Sequence, residues 1–270
     1  MSALIAGLAV LLICAVLWDA FFTPSRSRRA GASVAGAAGP ESAPPPPTPL
    51  PHPDSATPAA PSPAAPAPGA PTSQLSYVDQ LARAETRRRL RASAGYTYLS
   101  EVVAESEDSA LHRWDDRVTR RVRVYLPAGT AANFQPAFLD AVRSAFAAWE
   151  EARVPVRFDT EADSAQAEVR FRWKVQFDID RTGQTDLTWD QDGRIQSGVV
   201  TIATFDPKGR PLSTDDVRVV AMHEIGHLIG LDHSADSSDL MFANTRVRDL
   251  SARDIRSALM LYQLTPGPVR

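Results

Sequence analysis

His223-Glu-Ile-Gly-His227-Leu-Ile-Gly230-Leu-Asp-His233 is the stretch that decides how this 270-residue chain is read. Residues four apart on a helix are offset by only about 40° around the axis, so the imidazoles of His223 and His227 leave the same face and can share one metal ion. Glu224 is turned by about 100° from His223, placed to hold a water molecule and not to ligate. A helix continued past Gly230 would aim His233 away from the other two rings. Glycine tolerates a left-handed C-terminal conformation, so the chain can break at Gly230, fold back and deliver His233 as a third ligand. Three neutral nitrogens with one open position are the donor set of a catalytic zinc, with Glu224 as the catalytic residue.

The rest of the histidines and the cysteine content narrow the chemistry further. Of five histidines, three fall in this motif, and His52 and His112 have no comparable companions. The single cysteine, Cys14, lies in an apolar N-terminal run, which excludes disulfide frameworks, thiolate-ligated zinc and a catalytic thiol. A net charge of -3 argues against a nucleic-acid module.

Outward from the motif, Ser213-Thr-Asp-Asp216 is a capping-box start for a helix running through Ile229. Val122, Val124 and Leu126 alternate with arginines as a half-buried strand. Phe138, Val142, Ala145, Phe146 and Trp149 form one stripe of a helix packed on a sheet. Residues 154–158, 167–173 and 197–205 read as further strands, the last preceded by a turn at Asp192-Gly193. Ser251 and Asp254 cap a closing helix packed through Ile255, Leu259, Leu261 and Tyr262. The order of strand, helix, strands, helix, helix implies an α/β sandwich of about 150 residues around one main sheet.

Eight residues after His233, Met241 stands in Asp239-Leu-Met-Phe. With HEIGHLIGLDHS this resembles the metzincin zinc peptidases, and within them the matrixin group, over roughly residues 114–264. The narrower likeness rests on Asp232 and Ser234 beside the third histidine, on AVRSAFAAWEEARVPVRF and on LSARDIRSALMLYQL. The resemblance implies an α/β (α+β) zincin domain: a twisted, mostly parallel sheet with an antiparallel edge strand and about three helices. It implies one catalytic Zn2+ on His223, His227 and His233, with Glu224 taking a proton from the zinc-held water. Met241 and Gly230 would support the site. A peptide or protein substrate would lie antiparallel to the edge strand before the helix, taken here as Val199, Val200, Thr201, Ile202 and Ala203. Departures from the animal-type pattern matter: no histidine on SGVVTIATF for a structural zinc, no cysteine for thiol latency, and Ala243-Asn-Thr where a Pro-x-Tyr would shape the specificity pocket.

The N-terminal part has a different composition. Residues 3–22 form an apolar run of membrane-spanning length, so residues 1–23 read as a transmembrane anchor or a cleaved signal segment. Fourteen of the 22 prolines lie between Pro40 and Pro71, making residues 24–73 a Pro/Ala-rich linker expected to be disordered. Residues 74–113 read as a helical stalk or propiece; its Leu75, Val78, Leu81, Ala82 and Ala84 follow helical spacing, and Arg87-Arg88-Arg89 is read as a solvated face. The domain is then expected outside the cytoplasm, held at the membrane or secreted if the segment is cleaved, and monomeric. Ca2+ on Asp178, Asp180, Asp190 or Asp192 is weighed against ordinary solvated loop acids. The rival functions are a membrane-tethered, non-catalytic zinc-containing binding module and a zinc hydrolase acting on something other than peptides.

Overall fold

In the computed structural model, which describes residues 76–105, 109–115 and 117–269, the alternating stretches become a five-stranded sheet with helices packed on it. The elements are α1 (Tyr77–Ala92), α2 (Leu99–Glu105), β1 (Ala110–Leu111), β2 (Arg117–Tyr125), α3 (Ala137–Glu151), β3 (Val156–Asp159), β4 (Val169–Lys174), β5 (Gly183–Trp189), β6 (Ile195–Ala203), α4 (Thr214–Leu228), α5 (Ala252–Leu261) and β7 (Gly267–Pro268). The sheet order is β3-β2-β4-β6-β5. All pairs are parallel except β5 with β6, so the expected mostly parallel sheet with an antiparallel edge strand is what the chain forms.

The core follows from the amphipathic stripe on α3. Phe138, Val142, Ala145, Phe146 and Trp149 are all buried. Phe146 meets Phe158 of β3 and Phe171 of β4, with ring centroids 4.6 and 5.6 Å apart. On its other side α3 faces α4, where the Trp149 indole N–H donates to the Met222 carbonyl at 2.9 Å. A buried indole needs such a partner, and this one pins α3 to the turn of α4 that carries His223.

Several expectations change. The strand β5 was not anticipated: Gly183-Gln-Thr-Asp-Leu-Thr-Trp189 is polar enough to read as loop, because an edge strand buries one face only and has a single neighbour. Its presence moves β6 inside the sheet. Val199–Ala203, taken as the substrate edge, are paired to β4 on one side and β5 on the other. Their backbone groups are already used, and the free edge on this side of the sheet belongs to Gly183–Trp189. On α5 the buried face is Asp254, Ser257, Ala258 and Leu261, while Ile255 and Leu259 are only half-buried.

Parts of the stretch 74–113, read as a helical stalk or propiece, pack into the domain. Leu90, Tyr98, Leu99, Val102, Val103 and Leu111 join the same hydrophobic core as the helices and sheet. The strand β1 pairs antiparallel with β7 near the other end of the chain. On α1 the apolar Val78 and Leu81 are exposed, and Thr86 and Leu90 are the buried positions, so the helix docks by its C-terminal half. Arg87 donates to Val269 O at 2.7 Å and Arg89 to Gln263 O at 2.9 Å; Arg88 alone of the three faces solvent, paired with Glu85. The apolar run 3–22 and the proline-rich stretch lie outside the described residues. Among the described residues no helix is long and apolar enough to cross a membrane.

Leu99 separates a stalk from a core element. Leu99→Ala is expected to cost about 2–5 kcal/mol, the range for a buried leucine, in a urea denaturation of the full chain. A change under about 0.5 kcal/mol, ordinary for surface positions, would contradict the packing.

Candidate metal centre

The active geometry is prepared by the way α4 ends. Ser213 opens the helix with a reciprocal capping box to Asp216, as the sequence implied. At the far end Gly230 takes φ +103°, Leu231 N–H donates to Gly226 O at 3.0 Å and Gly230 N–H to His227 O at 2.9 Å. That pair of bonds is a Schellman motif with Gly230 in the left-handed position. Space matters as much as conformation here, since a Cβ on Gly230 would lie 1.9 Å from the His112 carbonyl oxygen. Two side chains from distant parts of the chain collect the carbonyls left over at the helix end: Trp114 Nε1 donates to Leu228 O and the Tyr262 hydroxyl to Ile229 O, each at 2.9 Å.

The reversal brings His223, His227 and His233 together. Their ring centroids are 4.9, 5.3 and 4.7 Å apart, and one ligand atom of each lies within 4.8 Å of the others. Among the described residues this is the group of acids, histidines and cysteines able to hold a metal ion. The ring tautomers suit coordination. His223 Nδ1 lies 2.8 Å from Leu240 O and His227 Nδ1 2.9 Å from Leu231 O. A carbonyl accepts only, so each Nδ1 carries the proton and Nε2 is left with its lone pair free for a metal. Three neutral imidazoles, two of them with tautomers fixed in this way, fit zinc.

Beneath the histidines lies the turn at Met241. Its side chain is fully buried against Gly226, the glycine in the middle of the motif; a Cβ there would come 2.2 Å from the Met241 sulfur. The turn is held from behind by Asp254 of α5, whose carboxylate accepts from Leu240 N–H at 2.8 Å, Met241 N–H at 3.3 Å, Ser251 N–H at 2.9 Å and the Tyr98 hydroxyl at 3.2 Å. The Leu240 peptide therefore accepts from His223 on one side and donates to Asp254 on the other. Ser234, next to His233, joins the same turn through its N–H to Met241 O at 2.9 Å.

A sequence model of the matrixin family matches residues 113–263, more than half of the chain. The chain belongs to the matrixin family. It is 30% identical over 137 residues to "Metalloendoproteinase 1-MMP" of Arabidopsis thaliana, covering 46% of this chain and 37% of that protein. It is also 39% identical over 70 residues to "Metalloendoproteinase 1" of Glycine max, covering 24% of this chain and 23% of that protein. The chain thus matches well under half the length of either relative.

Within this matrixin domain, Glu224 is buried between the first two histidines, and its carboxylate Oε2 accepts from the Thr185 hydroxyl at 2.6 Å. Burial pushes its pKa up to about 7, against the lowering effects of the Thr185 hydrogen bond and the Arg181 charge. Burial acts the other way on the rings: His223 falls to about 3, and His227 and His233 also drop below the ordinary 6.5, each lowered further by the charge a neighbouring ring would carry. The acids weighed for calcium are not gathered into one site. Asp190 and Asp192 belong to the β5–β6 turn, where Asp190 Oδ1 accepts from Asp192 N–H and Arg194 N–H, and Asp178 pairs with Lys174 at 3.3 Å.

Reading the motif alone missed Gly226, Trp114, Tyr262, Thr185 and the Asp254 cluster. Asp254 did carry a signal, a carboxylate at the third position after a capping serine, but its second function needs the fold to be seen. Trp114 and Thr185 carried none, lying 109 and 38 residues before His223.

Two outcomes follow from this geometry. Gly230→Ala is expected to lower zinc affinity about tenfold or more and to destabilise the fold by more than the roughly 1–2 kcal/mol of left-handed strain, in zinc titration and denaturation. For the chelator-stripped protein, rings with depressed pKa values take up protons first in the unfolded chain, so stability is lost as pH falls below 6.5. Glu224 has the opposite sign, holding a proton in the folded state between 4.5 and about 7. Three rings outweigh one carboxyl, so the thermal midpoint should fall between pH 6.5 and 4.5, and His223→Ala should flatten that slope.

Proposed function

We propose that this chain is a zinc-dependent endopeptidase. The observation that carries the reading is a buried carboxylate, Glu224, set one residue from a metal-ligating histidine and itself outside the ligand group. A metal kept for stability has no use for a poised base at that place. Membership of the matrixin family and the names of the two plant relatives support the same reading. When bound, the zinc would supply Lewis-acid chemistry, lowering the pKa of a held water towards about 7 and polarising the scissile carbonyl.

The residues of the chain do the rest. His223, His227 and His233 hold the ion as neutral ligands. Glu224 takes the proton of the attacking water and returns it to the leaving amine; with its pKa near neutrality it is matched to both transfers. A peptide substrate would add as an antiparallel strand along the free edge of β5, Gly183–Trp189, whose far side is already paired to β6. The strand begins beside Glu224, so backbone pairing there carries the scissile bond past the base. The apolar N-terminal run and the proline-rich stretch of the sequence support a domain tethered near a membrane, acting on proteins within reach of the tether.

The test is cleavage of an internally quenched peptide library by the full chain. Chelator should abolish cleavage and added zinc restore it. Glu224→Gln should lower kcat by about 10²–10⁴-fold, the usual contribution of a general base, while zinc content stays at the wild-type level. Wild-type turnover in Glu224→Gln would remove the proposed role of that residue.

A further inference from the structure

We propose that the edge strand β5 positions the catalytic base, with Thr185 as the positioning residue and Gly183 as the gap beside it. The inference rests on the peptidase reading for what Glu224 does, but it concerns residues that neither the motif nor the histidine geometry involves.

Glutamate has three side-chain torsions, and a base is useful only when its oxygen sits within hydrogen-bond reach of the proton it takes. Something must therefore hold the carboxylate. The Thr185 hydroxyl does so, 2.6 Å from Oε2 and 3.0 Å from the Glu224 backbone carbonyl, and no other hydrogen bond reaches this carboxylate among the described residues. Two residues earlier, on the same face of the strand, Gly183 lies against the other oxygen. A Cβ at 183 would stand 2.3 Å from Oε1 and 2.7 Å from Cγ and Cδ, so the carboxylate rests in the space left by the missing side chain. One oxygen is tied, and the other rests against bare backbone in place of a side chain.

Placement of the pair is set by the sheet. Gly183 pairs with Ile202 and Thr185 with Val200, both fully buried residues of interior β6, so neither can shift without moving the core. The strand whose free edge would take the substrate backbone is thus the strand that anchors the base. Substrate and carboxylate are aligned to one ladder. A hydroxyl at 185 is what the arrangement requires, whereas valine would fill the same volume and leave Oε2 unanchored.

The experiment compares Thr185→Ala, Thr185→Val and Thr185→Ser in the zinc-loaded full chain. Three quantities are read: zinc content, kcat and KM on a peptide that the wild type cleaves, and the affinity for acetohydroxamate by calorimetry. Acetohydroxamate binds zinc and shares its proton with a neighbouring carboxylate, so its binding reports the position of Glu224 without turnover. Thr185→Ala and Thr185→Val should lose about 10–100-fold in kcat, the scale of one hydrogen bond to a charged group, with KM within about twofold and zinc content unchanged. Their hydroxamate affinity should fall about 5–10-fold, and Thr185→Ser should recover both quantities to within about threefold. Wild-type kcat and hydroxamate affinity in Thr185→Val would overturn the inference, as would a loss that Thr185→Ser does not recover. A wild-type chain that cleaves no peptide would instead overturn the peptidase reading, and the hydroxamate series would still decide the role of Thr185.

Discussion

The chain reversal at Gly230 is the constraint on which the rest depends. Two histidines on one helical turn are a local matter, but the third requires the backbone to leave the helix within three residues and return over the same face. A left-handed residue provides the direction, and the Schellman bonds from Leu231 and Gly230 close the helix end. The reversal also leaves carbonyls of α4 pointing into the protein, where an unpaired acceptor is costly. Trp114, from just before β2, and Tyr262, from the end of α5, meet that requirement. The segment carrying His112 passes so close to Gly230 that no side chain fits there. Parts of the chain 150 residues apart converge on one helix end because a single turn needs them.

A second layer of order lies behind the ligands. An imidazole must be neutral and correctly oriented to bind metal, and the orientations of His223 and His227 are imposed by the Leu240 and Leu231 carbonyls. The Leu240 carbonyl orients His223, and the N–H groups of Leu240 and Met241 on either side of it donate to Asp254, a carboxylate with several donors and therefore tolerable in the interior. Tyr98 and Ser251 complete its environment, and Met241 fills the space that Gly226 leaves. Contacts within the protein thus hold the first two rings in place, and side chains held this way lose less freedom when they bind a ligand.

The sheet shows where pattern reading reaches its end. The α3 stripe was legible because five apolar residues at helical spacing, three of them aromatic, have one way to be buried. The interior strands were legible for the same reason. The strand β5 was not, since Thr185 and Asp186 resemble loop residues until a helix is known to pack over them. That one omission placed the sheet's edge at Val199–Ala203, which is interior, although the antiparallel edge strand itself was expected. The α1 stripe misled in the opposite sense: Val78 and Leu81 keep helical spacing yet remain exposed, while Thr86 and Leu90 make the contact.

By itself the sequence determined that three histidines, a glutamate and a helix-ending glycine can be brought together, because these lie within eleven consecutive residues and depend on helix periodicity and glycine's backbone freedom; with Met241 and two further stretches it also pointed to the family. Only the tertiary structure decided that β5 and not β6 is an edge of the sheet, which residues orient His223, what holds the Glu224 carboxylate and that Leu90, Tyr98, Leu99, Val102, Val103 and Leu111 join the core. Those answers depend on contacts between residues dozens to well over a hundred positions apart, and local periodicity carries no record of them.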